Sequence, residues 1–236
     1  SFYPYVQLGV MVLFVLIVYF ALISTKKAEQ NKVWVGLSKE TAHQLGTPIS
    51  SLMAWMDLLE SSGVDPSLLS DMNKDVNRLS VIAERFSKIG SKPEMELIYV
   101  NEVLENATEY MRRRVSDKVL ITTHLPSDAE GAMVCLSLFE WVIENLCKNA
   151  VDAMNGEGRI DVYMTSEKQQ IYIDIKDTGK GIARKNFKTV FNPGYTTKKR
   201  GWGLGLTLAK RIIEDYHAGR IYVKDSEVGK GTTFRI

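Results

Sequence analysis

The chain has 236 residues, of which 45% are apolar and 25% charged, with a formal net charge of +2 and two cysteines. That apolar share excludes disorder, the cysteine count excludes a disulfide scaffold, and a balance so near neutral gives no sign of a nucleic-acid partner. The length allows one or two domains, each able to bury a core. Cys135 and Cys147 flank a helical pattern and read as two reduced thiols in a cytosolic domain. Charge is spread unevenly, since residues 1–25 contain no charged side chain and the rest of the chain is rich in them.

Val6–Ile23 is an unbroken apolar stretch whose polar members are Gln7 and Tyr19. A helix of that length is roughly 27 Å long, close to the hydrocarbon thickness of a bilayer. Tyr3, Tyr5, Tyr19 and Phe20 lie toward its ends, where aromatic rings favour the interface. All its faces are apolar, which favours a membrane span over a buried core helix. A signal peptide needs a basic start and a small-residue cleavage site, and neither is visible. Lys26, Lys27 and Lys32 follow the span and nothing basic precedes it, so the positive-inside rule puts the remainder in the cytoplasm. The first residue is serine, and further chain, including any sensory domain, is expected upstream.

From Lys27 to Ser61 the breakers are Gly36, Gly46 and Pro48. Leu45, Pro48, Leu52, Trp55 or Met56, and Leu59 recur at alternating spacings of three and four, a coiled-coil-like seam. Residues 61–66 predict a turn, with Asp65 capping a second helix and Pro66 at its first position. That helix carries Leu69, Met72, Val76, Leu79, Ile82 and Phe86 on one stripe and ends near Gly90. Two helices cannot cover such stripes alone, whereas an antiparallel hairpin that dimerises into a four-helix bundle can. His43 points away from the seam, with Glu40 and Thr47 one turn to either side of it on the outer face. Pro48 cannot donate to the carbonyl of Gln44, so a bend is expected beside this exposed imidazole.

Residues 97–236 alternate helix and strand signals. A helix is expected over 101–115, strands over 118–125 and 132–136, and a helix capped by Ser137 that runs to about Met154. Residues 159–166 and 170–176 read as a hairpin, 204–217 as a helix, and 219–225 with 231–236 as a closing hairpin. The pattern is that of a two-layer α/β sandwich with helices on one face of a mixed sheet.

Four local signals follow one another in this region. Asn145 and Asn149 stand one turn apart on one helix face, so both amides can reach one ligand, and an amide carbonyl is a hard oxygen donor suited to magnesium. Asp177-Thr178-Gly179-Lys180-Gly181-Ile182 follows a strand, where a carboxylate can accept from an exocyclic amine and glycines admit a ligand to the backbone. Residues 191–200 form a loop of turn formers ending in Lys198, Lys199 and Arg200. Gly201-Trp202-Gly203-Leu204-Gly205-Leu206 opens a helix, whose amides and dipole favour phosphate.

These segments resemble the conserved boxes of membrane sensor histidine kinases of two-component systems. LSKETAHQLGTPISSLM (37–53) is similar to their H-box, NLCKNAVDAM (145–154) to the N-box, DTGKGI (177–182) to the G1 box, FNPGYTTK (191–198) to the F-box and GWGLGL (201–206) to the G2 box. The resemblance runs in the family order over nearly all of the chain after residue 37. It implies a transmembrane helix (1–25), a connector (26–37), a dimerisation and phosphotransfer hairpin (38–90), a hinge (91–96) and a catalytic ATP-binding domain of the two-layer α/β type (97–236).

The resemblance also implies roles. His43 is the expected phosphoacceptor and ATP with Mg2+ the expected phosphoryl donor. Asn149 is expected to hold the magnesium, with Asn145 assisting. Asp177 is expected to read the adenine amino group, through a water shared with Thr232, and Gly179 and Gly181 to shape the adenine end. Residues 183–203 are an expected mobile lid that carries Lys198 near the phosphates. Gly201, Gly203, Gly205 and Leu206 are expected at the phosphate contacts. The partners implied are a second copy of the chain and the receiver domain of a response regulator, at the inner membrane of a bacterium.

Two departures bear on the chemistry. Gyrase-type ATPases carry a glutamate base where Asn145 stands, and an amide cannot take a proton from water, so this pocket is expected to keep ATP for His43. The residue after the phosphoacceptor, acidic in a large branch of the family, is here Gln44, which leaves Glu40 or solvent as proton acceptor. Thr47 fits the position that orients water for dephosphorylating the regulator. A phosphatase-dominant enzyme is therefore the second reading, and a non-catalytic membrane scaffold a remote third. Asp152 stands where many members carry a basic residue.

Overall fold

The apolar stretch and the seam-bearing segment after it form one helix, α1 (Tyr3–Ser61), and a turn leads to α2 (Pro66–Gly90). The computed structural model describes residues 2–91, 93–128, 130–198 and 203–236, and the side chains of residues 27–34 lie outside that description. Contacts divide the chain into two units, Ser1–Lys92 and Pro93–Ile236.

In the first unit, Asp65 caps α2 as expected, its carboxylate accepting from the Ser67 amide at 2.8 Å with Pro66 in the first helical position. The hairpin core consists of Ile49, Met56, Val76 and Ala83, with Leu45 packed against it. Ile49 and Met56 are seven residues apart, as are Leu69, Val76 and Ala83, so each helix offers a heptad line to the other. This corrects the expected seam. Pro48 and Trp55 lie outside the contact, and Leu52, Met72, Leu79 and Ile82 stay largely exposed. Choosing Ile49 and Met56 rotates the stripe by less than one residue step, because α2 sits on that side of α1. The remaining apolar stripe faces outward.

Tyr3–Lys26 is long and apolar enough to cross a membrane, with a mean hydropathy of 2.7 and none of it buried.

The second unit holds β1 (Glu96–Tyr99), α3 (Val100–Arg112), β2 (Val119–His124), β3 (Gly131–Val134), α4 (Leu136–Ala153), β4 (Gly158–Glu167), β5 (Gln170–Asp177), α5 (Gly205–Arg211), β6 (Tyr222–Glu227) and β7 (Gly231–Arg235). Five strands make a mixed sheet in the order β2-β4-β5-β7-β6, parallel only between β2 and β4, while β1 and β3 pair antiparallel apart from it. Ile160, Val162 and Met164 of β4 and Ile173 and Ile175 of β5 are buried by period-two alternation toward α4, and α3 packs on α4 and β2. The opposite face is closed by charge pairs: Asp161 with Arg159 at 2.8 Å, and Asp174 with Arg235 at 2.6 Å.

Two helix ends differ from expectation. Cys135, not Ser137, occupies the cap of α4, and no side chain caps it. The Cys135 amide donates instead to His217 Nε2 at 3.0 Å, while His217 Nδ1 donates to the Ile212 carbonyl at 2.8 Å. The expected 204–217 helix ends as α5 at Arg211 and widens into a π-type turn, Ile212–Tyr216, which brings the His217 ring to the start of α4.

This pairing predicts a pH dependence. Burial pushes the His217 pKa below its ordinary 6.5, and a second ring proton would face the Cys135 N–H. The folded pKa is below the unfolded one, so the unfolded chain takes up protons first and stability falls as pH drops through 6.5 toward the folded value. Thermal unfolding at about pH 7.5 and about pH 5.5 should show the parent losing more stability than His217→Gln, which starts lower and has no ring to charge.

Candidate nucleotide site

The site is built on α4. Leu138, Phe139, Val142, Ile143, Leu146, Cys147 and Ala150 are buried, which turns the intervening Asn145 and Asn149 into the half-buried edge of the helix. Burial pushes the Cys147 thiol up to about 12, so it stays protonated and takes no part in the site's chemistry. Among the described residues, Asn145 Nδ2 and Asn149 Nδ2 are buried without a hydrogen-bond partner. Buried amides left unpaired carry a cost, and a ligand that accepts from them removes it.

Gly205 opens α5 directly over this edge: a Cβ there would lie 2.5 Å from Asn145 Oδ1. Gly203 has φ +65, and a Cβ there would lie 2.5 Å from the Gly194 carbonyl carbon. The Gly194 amide donates to the Gly203 carbonyl at 3.2 Å, so the two ends of the intervening loop are tied together. Leu206 is half-buried in the first turn of α5. Gly201, with Lys199, Arg200 and Trp202, lies outside the described residues.

The loop reaches back to α4. Lys198 Nζ lies 3.0 Å from Asn149 Oδ1 and 2.5 Å from Asp152 Oδ2, and Lys180 Nζ donates to Thr197 Oγ1 at 2.9 Å. The expected lid is not uniform, however. Val190 and Phe191 are buried, Phe191 meets Phe234 edge to face, and Thr207 Oγ1 donates to the Phe191 carbonyl at 3.0 Å. The first part of residues 183–203 is thus anchored in the core by an aromatic side chain.

Asp177 ends β5 on the helix-facing side, two and four residues after Ile175 and Ile173, and is 3% exposed. Its carboxylate accepts from the Gly179 amide at 2.8 Å, and Thr232 is its cross-strand neighbour on β7. Burial raises its pKa, and the backbone groups of Gly179 and Thr232 oppose that rise. Gly179 packs against Ala153 at the end of α4, and the Lys180 amide donates to the Ala153 carbonyl at 3.0 Å. Gly181, at φ +70, packs against the Glu227 carbonyl of the β6–β7 turn.

Asn145, Asn149, Asp177, Gly179, Gly181, Lys198, Gly203 and Gly205 therefore all stand around α4. Unpaired amide donors, a lysine, glycines that keep backbone open and a buried carboxylate are groups of the kind that a magnesium nucleotide requires.

The remaining expected residues are on α1. His43 is exposed, Gln44 Nε2 donates to Glu40 Oε1 at 2.7 Å, and Thr47 Oγ1 lies 3.5 Å from the His43 carbonyl. His43 and Glu40 border a groove that also takes Ser80, Glu84 and Ser87 from α2. Glu84 was not legible as a neighbour of His43. It lies far along the chain, and only the hairpin register brings it there.

Comparison with known proteins agrees with this geometry. Residues 136–236 match the family described as histidine kinase-, DNA gyrase B-, and HSP90-like ATPase. Sporulation kinase A of Bacillus subtilis is 26% identical over 89% of this chain and 35% of its own length. The sensor histidine kinase ZraS of Salmonella typhimurium is 26% identical over 91% of this chain and 48% of its own. The chain thus spans about a third to a half of the curated relatives it matches. A solved histidine kinase, ThkA in complex with the response regulator protein TrrA, shares the fold at a TM-score of 0.57 and 19% identity, covering 92% of this chain and 66% of its own. The second unit carries an ATPase domain of this nucleotide-binding class. Along about nine-tenths of its length the chain is similar to proteins named sporulation kinase and sensor histidine kinase.

Proposed function

We propose that this chain is the signalling part of a membrane-anchored sensor kinase, which phosphorylates its own His43 from ATP and passes the phosphoryl group to an aspartate of a response regulator. The observation that carries this reading is an exposed imidazole on a chain whose nucleotide cradle has Asn145 where a water-activating carboxylate is needed for hydrolysis.

A neutral ring nitrogen of His43 attacks the γ-phosphorus, the bond to the β–γ bridging oxygen breaks and ADP leaves. The ring proton passes to Glu40, Glu84 or water. Bound magnesium, held by Asn149, supplies charge neutralisation at the phosphates. Lys198 adds to it, and Asp177 selects a purine with an exocyclic amine. The outward stripe of Leu52, Trp55, Met72 and Leu79 supports a homodimer closing a four-helix bundle. The apolar helix and the lysines after it support anchoring in a bacterial inner membrane with the kinase portion cytoplasmic.

Incubation with γ-labelled ATP and magnesium tests this: label should enter the chain as an acid-labile, base-stable phosphoramidate and then move to a receiver domain. No label under saturating ATP would overturn the kinase reading.

The hydrogen bond from Gln44 to Glu40 favours a second reading, in which slow autophosphorylation leaves phosphatase activity dominant, with Thr47 orienting water. It engages a nearby carboxylate without supplying a base at position 44. Gln44→Glu should raise the initial labelling rate about a hundredfold, the lower end of the range for a positioned general base. An unchanged rate would point to Glu40, Glu84 or solvent as acceptor.

A further inference from the structure

The lysine that joins the loop to α4 carries an inference that rests on the ATP reading and deepens it. Asn149 and Asp152 are three residues apart on α4 and present a carbonyl and a carboxylate to the same side. One ammonium, Lys198 Nζ, meets both, at 3.0 and 2.5 Å. The loop holds that lysine from behind, through its amide to Thr196 Oγ1 at 3.1 Å and through Thr197 to Lys180 at 2.9 Å.

The Asn149 amide shows what the lysine does. Its nitrogen is buried without a partner among the described residues, so no bond of its own N–H groups orients it. The ammonium turns the oxygen outward, and oxygen is the atom a hard divalent cation requires. Asp152 in turn fixes the ammonium. Both members of the pair are 41% exposed, so their ion pair adds little to stability and can exchange.

We propose that Asp152 is a positioning residue that latches Lys198 onto the Asn149 carbonyl, so that the lysine keeps the magnesium ligand oriented and gives way when a magnesium nucleotide enters. A metal-loaded nucleotide replaces one cation with another beside the Asp152 carboxylate. Metal-free ATP brings only negative charge to it and must compete with Asp152 for Lys198. Asp152 therefore makes the pocket discriminate between the two forms.

The test is calorimetric titration of the full chain in detergent micelles with ATP, in magnesium chloride and in EDTA. Asp152→Asn should raise metal-free affinity and lower magnesium–ATP affinity, each by about threefold to fivefold, the range a half-exposed ion pair allows. The ratio of the two affinities then falls about ninefold to twenty-fivefold. Asp152→Glu, which keeps the carboxylate, should stay near the parental ratio. Lys198→Met, which leaves the carboxylate uncompensated, should raise the ratio. The latch is overturned if Asp152→Asn keeps the parental ratio, either unchanged or with both affinities scaled alike as a purely structural role requires. It is overturned equally if Lys198→Met leaves the ratio where it was. A parent chain that binds ATP in neither buffer removes the nucleotide reading itself, a result distinct from either of these.

Discussion

His43→Ala should abolish labelling of the chain by γ-labelled ATP while leaving ATP affinity unchanged. The ring is exposed on α1. Removing such a surface side chain costs within about 0.5 kcal/mol, so the variant folds. The described groups of the nucleotide cradle all lie in the second unit, so binding is retained. Loss of the nucleophile removes the covalent product outright, and residual label should fall by more than about a hundredfold. The measurement is label retained after alkali, run beside an ATP titration. If His43→Ala labels as well as the parent, the phosphoacceptor lies elsewhere and the kinase reading loses its nucleophile.

Gly181→Ala should have a large effect on stability. Its φ of +70 disfavours any side chain, and the added Cβ would enter the Glu227 carbonyl oxygen, a backbone atom that cannot swing away. Around it the Gly229 amide donates to the Lys180 carbonyl at 2.9 Å, and the Ile182 amide to Ser226 Oγ at 2.8 Å. A shift at Gly181 therefore strips two bonds and tilts the segment that begins at Asp177. The expected cost is about 2–4 kcal/mol, combining strain with lost hydrogen bonds. ATP binding should fall with it, because Asp177 is displaced. Gly229→Ala is the control. It has a similar φ of +86 but open space around its Cβ, so it should lose only about 1–2 kcal/mol. Equal melting temperatures for the two variants would show that the contact with Glu227 does not matter.

Much of this architecture is written in local chemistry. Asp65 and Pro66 announce the start of α2 because capping and a fixed proline φ are properties of adjacent residues. The β4–β5 and β6–β7 hairpins follow from alternation, which a strand imposes every second residue. Asn145 and Asn149 share a face because a helix turns once in 3.6 residues.

Other features were out of reach of such reasoning. Ser137 has the chemistry of a cap, yet the α4 cap amide goes to His217, more than eighty residues later, brought there by a π-type turn. Phe191 reads as part of a lid loop, and only its contact with Phe234 shows that this stretch is core. Pro48 and Trp55 obey the same three-four spacing as Ile49 and Met56, and spacing alone cannot choose between two stripes one step apart.

By itself, the sequence determined which groups are present and how they sit within single elements: an apolar span, a histidine on the outer face of a helix, amides and glycines in nucleotide-binding order. The tertiary structure decided which groups meet across elements. It set Lys198 on Asn149 and Asp152, Gly205 on Asn145, and Glu84 in the groove beside His43. Periodicity fixes directions around one axis. The register between two axes depends on the summed packing of many side chains, and no local pattern records it.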